Sequence, residues 1–369
     1  MYSVYADNNL IYSPDMADVG YYITTPTYVK EVNKAGSFEF NIYTTNPYYD
    51  HLNALKTIVS VRDNDYEIWR GRILSMERAF DNRRAVYCEG TLSFLVDSVI
   101  RPHDHKKTMA EQFQYLIDQH NTQVDDFKKF RIARIDIDDP YGSIQWKTDT
   151  YEKTKDKIES IVTTYGGYLL TRYENGENTI YYMKDPSRFS NQVIDSTENL
   201  LDLTESINPS NVFTVLIPIA YDSNGNKITI ESVNDGKDYI ESTEGIDKFG
   251  RIFYSHTFSE DVSNATELLE KGTNMLSENI KAAQTLSLKA FDLHMINPEV
   301  DRIDIYDKIK VQSQPHGLDE YEMCTKVSIS LENPENSEYI IGTIPQNITN
   351  NVATLQTGSN TLVQKTAKY

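Results

Sequence analysis

The chain has 369 residues, which is too long for one compact core and suggests two to four packed domains. Acidic residues outnumber basic ones by 55 to 36, and the net charge of −19 argues against binding naked nucleic acid, because neutralising phosphates requires basic patches. The 26 tyrosines, against 13 phenylalanines and 2 tryptophans, favour half-buried sheet faces and interfaces.

The cysteines and the apolar runs exclude further classes of protein. Cys88 and Cys324 each lie in a strand-like run, so we expect buried free thiols and no disulfide framework. No signal peptide opens the chain, and no apolar run is long enough to span a membrane. We therefore expect a protein that is made in a cytoplasm and carries no membrane anchor.

Residues 1–100 are predicted to form a first β-barrel-like domain. Apolar and polar residues alternate over 38–42, which is the period of a strand with one buried face. The turn-forming run Asp63-Asn64-Asp65 separates two further strands, and a return strand follows over 84–89. Short polar turns between such strands indicate a small antiparallel barrel or sandwich.

Residues 101–190 are predicted to form an α+β insert domain. The predicted elements are a helix from the capping box of Thr108 and Glu111 to Asn121, a strand over 131–138, a helix from about Tyr151 to Gly166-Gly167, and a hairpin around Asn175-Gly176. Helical and strand periods both occur here, which distinguishes this segment from its neighbours.

Residues 191–342 are predicted to form a second β-barrel-like domain with one helix. The expected elements are strand-rich runs over 212–220, 286–293 and 302–331, and a helix over roughly 263–280 with Val262, Leu269, Leu276 and Ile280 facing inward. The two strand-rich segments that flank the insert could be duplicated barrels. The expected fold class is therefore α+β and β-rich, with two small antiparallel barrel-like domains.

Residues 343–369 are predicted to be a polar linker or the start of a coiled coil. Ile348, Val352, Leu355 and Leu362 follow at spacings of 4, 3 and 7, which is typical of a coiled-coil seam. Gly358 and several threonines weaken a helix here.

Two constellations suggest chemistry. In His103-Asp104-His105, the histidines can bind one metal only in an extended segment, and no third ligand is near, so we interpret it as a polar loop. Asp136 and Asp138 would share a strand face and could raise each other's pKa, as in glycosidases, but the alternation equally fits a solvated outer face. We prefer the solvated face.

The remaining candidates give no catalytic signature. His294 and His316 lack the close partner of a zinc peptidase, and a serine hydrolase elbow, a phosphate loop and a dinucleotide fingerprint do not occur. We assign no catalytic, cofactor-binding or metal-binding residue. The residues expected in an interface or in the core are Trp69, Tyr239, Ile348, Val352 and Leu355.

Eight short segments follow one another in a distinctive order. They are Gly-Ser-Phe-Glu-Phe at 36–40, Ile-Trp-Arg-Gly-Arg-Ile at 68–73, Glu-Gly-Thr-Leu-Ser-Phe-Leu at 89–95, Val-Phe-Thr-Val-Leu-Ile-Pro-Ile-Ala at 212–220, Val-Asn-Asp-Gly-Lys-Asp-Tyr-Ile at 233–240, Gly-Arg-Ile at 250–252, Asp-Leu-His at 292–294 and Gln-Pro-His-Gly at 314–317. In this order they resemble the hub protein at the tip of siphophage tails, a family often labelled "prophage tail endopeptidase".

The resemblance implies a fold like the baseplate hub of contractile-tailed phages. It implies a homotrimeric ring that closes the tail tube, contacts the distal tail protein and the tape-measure protein, can carry receptor-binding proteins and lets DNA pass through its lumen. The location would be the virion tail tip, after assembly in the bacterial cytoplasm. Lytic activity in such proteins lies in a C-terminal module, which we expect to be absent here. The net charge of −19 favours an acidic lumen that repels DNA.

Two alternatives remain at this stage. A cell-wall-degrading peptidase or glycosidase predicts a deep pocket with converging carboxylates or a Cys–His pair. A carbohydrate-binding adhesin predicts tyrosine platforms that bind cell-wall polysaccharide without turnover.

Overall fold

The computed structural model describes residues 2–64, 66–137, 142–207, 212–222, 225–258, 262, 264–282 and 284–342. The chain divides into two compact units. Unit 1 contains residues 1–203 and 287–341, and unit 2 is built around residues 204–286.

The elements are numbered in chain order over the described residues. The strands are β1 (Tyr2–Ala6), β2 (Asn9–Tyr12), β3 (Ile23–Glu31), β4 (Ser37–Ile42), β5 (Ile58–Asp63), β6 (Tyr66–Arg78), β7 (Arg84–Gly90), β8 (Val99–Ile100), β9 (His103–Lys107), β10 (Phe130–Asp136), β11 (Ile144–Thr148), β12 (Glu152–Lys153), β13 (Tyr168–Glu174), β14 (Glu177–Met183), β15 (Arg188–Asp195), β16 (Leu200–Ile207), β17 (Val215–Tyr221), β18 (Lys227–Ile228), β19 (Ile240–Glu241), β20 (Phe253–Thr257), β21 (Gln284–Ala290), β22 (Asp307–Ser313), β23 (Leu318–Ser330) and β24 (Glu338–Ile341). The α-helices are α1 (Met109–Asn121), α2 (Thr154–Tyr165), α3 (Thr243–Phe249) and α4 (Ala265–Ala282).

One large, mostly antiparallel sheet forms the body of unit 1. Over the described residues its order is β16-β21-β24-β23-β3-β4-β7-β6-β5-β1-β2, and β22 joins it beside β23 with β15 as a parallel neighbour. β23 pairs with β3, so that Val327 lies opposite Lys30. Strands from both strand-rich segments of the sequence therefore share one sheet. The expected α+β, β-rich fold class is confirmed.

The sheet buries the alternating apolar residues of β4 and its neighbours. Phe38 is fully buried, and its ring lies 5.2 Å from that of Phe40 and 5.6 Å from that of Trp69. These aromatic contacts add packing energy to the area that they remove from water.

Both helices of the insert end where the sequence predicts, and α1 also begins there, whereas α2 begins at Thr154, about three residues later than predicted. The Thr108 side chain accepts from the Glu111 N–H, and the Glu111 carboxylate accepts from the Thr108 N–H, so the predicted capping box is present. α2 ends at Gly166, whose φ of 78° suits glycine. The predicted hairpin is β13–β14, in which Asn175 and Gly176 both have positive φ.

Unit 2 is a small sheet covered by a helix. β17 pairs with β20 in parallel and with β18 and β19 in antiparallel fashion, so the strand predicted within 212–220 is confirmed. α4 packs on β17, and its apolar residues meet Phe213 and Leu216 in a shared core. Gly272 lets the helix approach closely, because a Cβ there would lie 2.7 Å from the Ile240 side chain.

One prediction of detail is corrected by the structure: His103 begins the strand β9 instead of lying in a loop, because β9 pairs with β11. Leu269 packs against the core of unit 2 as predicted, but it is only partly buried, while its neighbour Leu268 is fully buried. The strand-rich run 302–331 contains the hairpin β22–β23.

Two further observations concern the whole chain. Ile348, Val352, Leu355 and Leu362 lie outside the described residues, so the coiled-coil seam stays a prediction. None of the helices in the described part of the chain is long and apolar enough to cross a membrane.

Candidate assembly surface

The two cysteines are structural. Cys88 in β7 and Cys324 in β23 are free and fully buried, as predicted. Burial raises the pKa of both thiols well above the ordinary value. Since the thiolate is the nucleophile, neither residue is suited to a cysteine peptidase.

The histidine pair of β9 is held in a packed polar cluster. The rings of His103 and His105 stack with centroids 4.6 Å apart, and Tyr115 packs edge-on against both. His105 Nε2 lies 2.8 Å from Gln112 Oε1, and His103 Nδ1 lies 2.9 Å from Arg101 O. Burial is the largest of the effects that lower the pKa of His103. Among the described residues, no group of three His, Cys, Asp or Glu could hold a metal ion.

The carboxylates of β10 do not form an observed pair. Asp136 is exposed, and its Oδ2 lies 2.5 Å from Arg134 Nη2. Asp138 and Asp139 lie outside the described residues, so the preferred interpretation, a solvated outer face, can be compared with the structure only at the exposed Asp136.

The two remaining histidines considered in the sequence, His294 and His316, contact neighbouring groups in the fold. His294 Nδ1 lies 2.7 Å from Val300 O, and His294 Nε2 lies 3.8 Å from Asp63 Oδ2. His316, in the β22–β23 turn, has its Nδ1 2.6 Å from Ser313 Oγ. These bonds orient the rings within their loops.

A shallow groove of about 380 Å³ lies over β3, β4 and β7. It is lined by Thr25, Thr27, Val29, Ser37, Glu39, Phe40, Asn41, Ala85 and Val86. Glu39 is the one ionisable residue in this lining. A hydrolase site of the expected kind needs converging titratable groups, and this groove does not supply them.

The two aromatic residues proposed for interface or core lie in different surroundings. Trp69 is 5% exposed within the unit 1 sheet. Tyr239 is half-buried in unit 2, with its ring 6.1 Å from that of Phe253. The Arg251 guanidinium lies 5.6 Å from the Tyr239 centroid and 5.4 Å from the Phe253 centroid, while its Nη2 lies 2.7 Å from Glu241 Oε2. Aromatic and arginine side chains of this kind are enriched in protein interfaces.

Unit 1 exposes aromatic rings that sequence reasoning did not single out. Phe189 of β15 and Tyr321 of β23 pack edge to face at 5.1 Å, and both are largely exposed. Phe80 is fully exposed in the turn between β6 and β7. The signal available in the sequence was a phenylalanine inside a charged run between two predicted strands. Exposed aromatic rings, rather than a pocket, are therefore the notable surface features of the described residues.

Comparisons with known proteins identify the fold. The model of the family described as "Prophage endopeptidase tail" matches residues 188–352. The 43 kDa tail protein of prophage MuSo2 from Shewanella oneidensis is similar with a TM-score of 0.66 and 11% identity, over 93% of this chain and 97% of that protein. Prophage tail protein gp18 from Listeria monocytogenes is similar with a TM-score of 0.59 and 13% identity, over 96% and 98%.

A third solved structure extends the comparison beyond prophages. The E. coli c3393 protein is a component of the type VI secretion system, described as structurally similar to the T4 bacteriophage tail proteins gp27 and gp5. It resembles this chain with a TM-score of 0.53 and 12% identity, over 88% of this chain and 74% of that protein. No curated protein matches the chain by sequence. The predicted resemblance is confirmed: residues 188–352 match the model of the prophage endopeptidase tail family, and the chain has the fold of prophage tail proteins.

Proposed function

We propose that this chain is a structural hub protein of a phage tail tip. In this proposal three copies form a ring that closes the distal end of the tail tube. The observation that carries it is the fold similarity to prophage tail proteins over more than nine-tenths of both chains. The similarity to a protein described as resembling gp27 and gp5 of T4 supports a hub in particular.

The proposed partners follow from a position at the tube end. The ring would bind the distal tail protein on one side, contact the tape-measure protein inside the tube and support receptor-binding proteins. A threefold ring requires heterologous contacts, in which one patch of a copy meets a different patch of the next. Exposed aromatic rings in both units, such as Phe80 and Phe253, supply surface of the type that interfaces use.

The charge supports a passive path for DNA through the ring. The chain carries a formal net charge of −19, and acidic walls would repel phosphate and prevent DNA from adhering. In the proposed hub, this protein is located at the tail tip of the virion, after assembly in the bacterial cytoplasm. A ring whose lumen proves neutral or basic in a reconstruction would contradict this part of the proposal.

We propose a role without catalysis for these residues. The candidate nucleophiles Cys88 and Cys324 are buried, and the exposed candidate Asp136 is paired with Arg134. The family's label names an endopeptidase, so peptidoglycan turnover is the competing function. Any lytic activity would reside in a separate module.

Sedimentation velocity tests this proposal. The purified chain is run alone and mixed with the distal tail protein, and a faster-sedimenting complex that contains both is expected. Release of soluble fragments from purified peptidoglycan is measured in parallel, with Asp136→Asn as the control variant. Turnover that this variant abolishes, together with no complex, would establish the enzyme and overturn the hub.

A further inference from the structure

The turn between β6 and β7 presents one phenylalanine entirely to solvent. Phe80 is 106% exposed, more than any other large apolar residue in the described chain. No aromatic ring or cation of the described residues packs against it. Leaving such a ring in water costs free energy that burial against a partner would recover.

Hydrogen bonds hold this turn in one conformation. Ala79 N–H donates to Arg83 O at 2.8 Å, and Asn82 N–H donates to Ala79 O at 3.1 Å. Arg78 Nε and Nη2 donate to Asn82 Oδ1 at 3.0 and 2.5 Å, and Tyr49 Oη donates to Asn82 O at 2.6 Å. A turn that is already ordered loses little conformational entropy on binding, so Phe80 is a preorganised anchor.

Phe189, another exposed phenylalanine of unit 1, makes contacts with neighbouring side chains. Phe189 is 67% exposed, but its ring packs against Tyr321 at 5.1 Å and lies 5.5 Å from Lys308 Nζ. Neighbouring side chains therefore cover part of the Phe189 ring. No described aromatic ring or cation covers the Phe80 ring in the same way.

The charge around Phe80 is opposite to that of the molecule. Residues 78–84 contain three arginines and one aspartate, whereas the whole chain has a net charge of −19. Arg84 approaches Asp50 at 3.8 Å. Arg78 and Arg83 form no ion pair with any described carboxylate. The turn itself therefore carries more positive than negative charge, which complements the net negative charge of an identical molecule.

We propose that the β6–β7 turn of one copy docks Phe80 into an apolar site on a second copy of this chain, with Arg83 facing carboxylates at its rim. The inference rests on the proposed ring, because a turn that binds a different surface of the next copy is a heterologous contact of the kind that closes one. A central aromatic anchor with charged residues beside it is the usual composition of an energetic hot spot.

Light scattering over a range of protein concentrations tests the contact. Phe80→Ser is expected to weaken self-association by at least ~30-fold, the factor that corresponds to a hot-spot residue. Arg83→Glu is expected to weaken it less, and to lose its effect at high salt, because exposed charges are screened. Phe189→Ser is the matched control and should assemble like the wild type. Circular dichroism checks that all variants are folded.

The outcomes separate this inference from the proposed function. If Phe80→Ser assembles like the wild type, the docking inference is wrong while the ring stands. If Phe80→Ser forms the ring but no longer binds the distal tail protein, the occupant is that protein, and docking onto a second copy is overturned. If the wild-type chain stays monomeric at every concentration, even when the distal tail protein is added, both the docking contact and the proposed ring are wrong.

Discussion

At the scale of single residues, unit 1 is stabilised by buried polar networks that hydrophobic patterns do not reveal. Arg72 is 3% exposed in the sheet, and its guanidinium binds the Asp97 carboxylate. Lys128 Nζ lies 2.8 Å from the same carboxylate. Burial alone would raise the pKa of Asp97, but the hydrogen bonds from Arg72 and Lys128 lower it below the usual value. Asp97 is therefore held ionised.

Replacing the buried arginine should destabilise the fold. We expect Arg72→Met to lower the free energy of unfolding by about 3 kcal/mol, because it removes one partner of a buried ion pair. Arg131→Met is the control, since Arg131 pairs with Glu177 at the surface and should change stability by less than about 1 kcal/mol. Urea unfolding measures both. Equal effects of the two substitutions would contradict this assignment.

Burial of His120 predicts a pH dependence. His120 Nδ1 lies 2.7 Å from Ser98 Oγ, its Nε2 lies 3.0 Å from Lys128 O, and burial lowers its pKa below 6.5. The unfolded chain then binds the proton more readily, so this stability is present above pH 6.5 and is lost as the pH falls through the folded-state pKa. Measured by urea unfolding, the free energy of unfolding of the wild type should fall more steeply below pH 6.5 than that of His120→Gln. Parallel pH profiles would refute it.

The sequence predicted burial correctly for residues inside strands with a clear alternation of apolar and polar positions. Cys88 and Cys324 were expected to be buried free thiols, because both lie in alternating strands. The sequence also identified Leu269 as a core-facing residue but missed that Leu268 is the more deeply buried one, because adjacent apolar residues leave the helix rotation undecided until α4 packs on β17. The exposure of Phe80 was not predicted, since a phenylalanine is ordinarily expected to be buried and its place in a charged run between two strands was the only signal.

At the scale of elements, helix ends and turns could be predicted from neighbouring residues, but the pairing of distant strands could not. The capping box, the glycine stop of α2 and the Asn-Gly hairpin each depend on a few neighbouring residues, and all three were predictable. The pairing of β23 with β3, and the parallel pair β15–β22, join distant segments. The period of two that identifies a strand carries no information about its neighbour.

The start of α1 gives a quantitative test at this scale. Thr108→Ala removes the hydroxyl that accepts from the Glu111 N–H, and we expect it to cost about 1 kcal/mol of unfolding free energy. Thr150→Ala replaces an exposed threonine that lies outside the helices, and it should change stability by less than about 0.5 kcal/mol. Thermal and urea unfolding both report the difference. A Thr108→Ala variant as stable as the wild type would show that the cap contributes nothing.

Close packing of strands gives a second test. A Cβ on Gly71 would lie 2.1 Å from Glu89 O and 2.5 Å from the Trp69 ring, so β6 or β7 would have to move. We expect Gly71→Ala to destabilise unit 1 by about 2 kcal/mol, through strain in a packed core. Ser75→Ala, at an exposed position of the same strand, serves as the control. Near-UV circular dichroism with urea unfolding follows the Trp69 environment directly.

At the scale of the whole molecule, the proposed function depends on surfaces rather than on a pocket. The net charge and the tyrosine content indicated a protein of interfaces before any contact was known. The candidate interface residues in the sequence were only partly informative, because Trp69 lies in the sheet core while Tyr239 is half-buried beside Arg251. Interfaces depend on the partner's shape as well as on this chain, so a single sequence cannot define them.

The mass of the purified chain in solution tests the central claim most directly. Multi-angle light scattering should give three times 42.4 kDa for the chain alone, or, once the distal tail protein is added, a heavier complex that contains three copies of this chain. A species of 42.4 kDa that persists at every concentration, with and without that partner, would contradict the proposed hub.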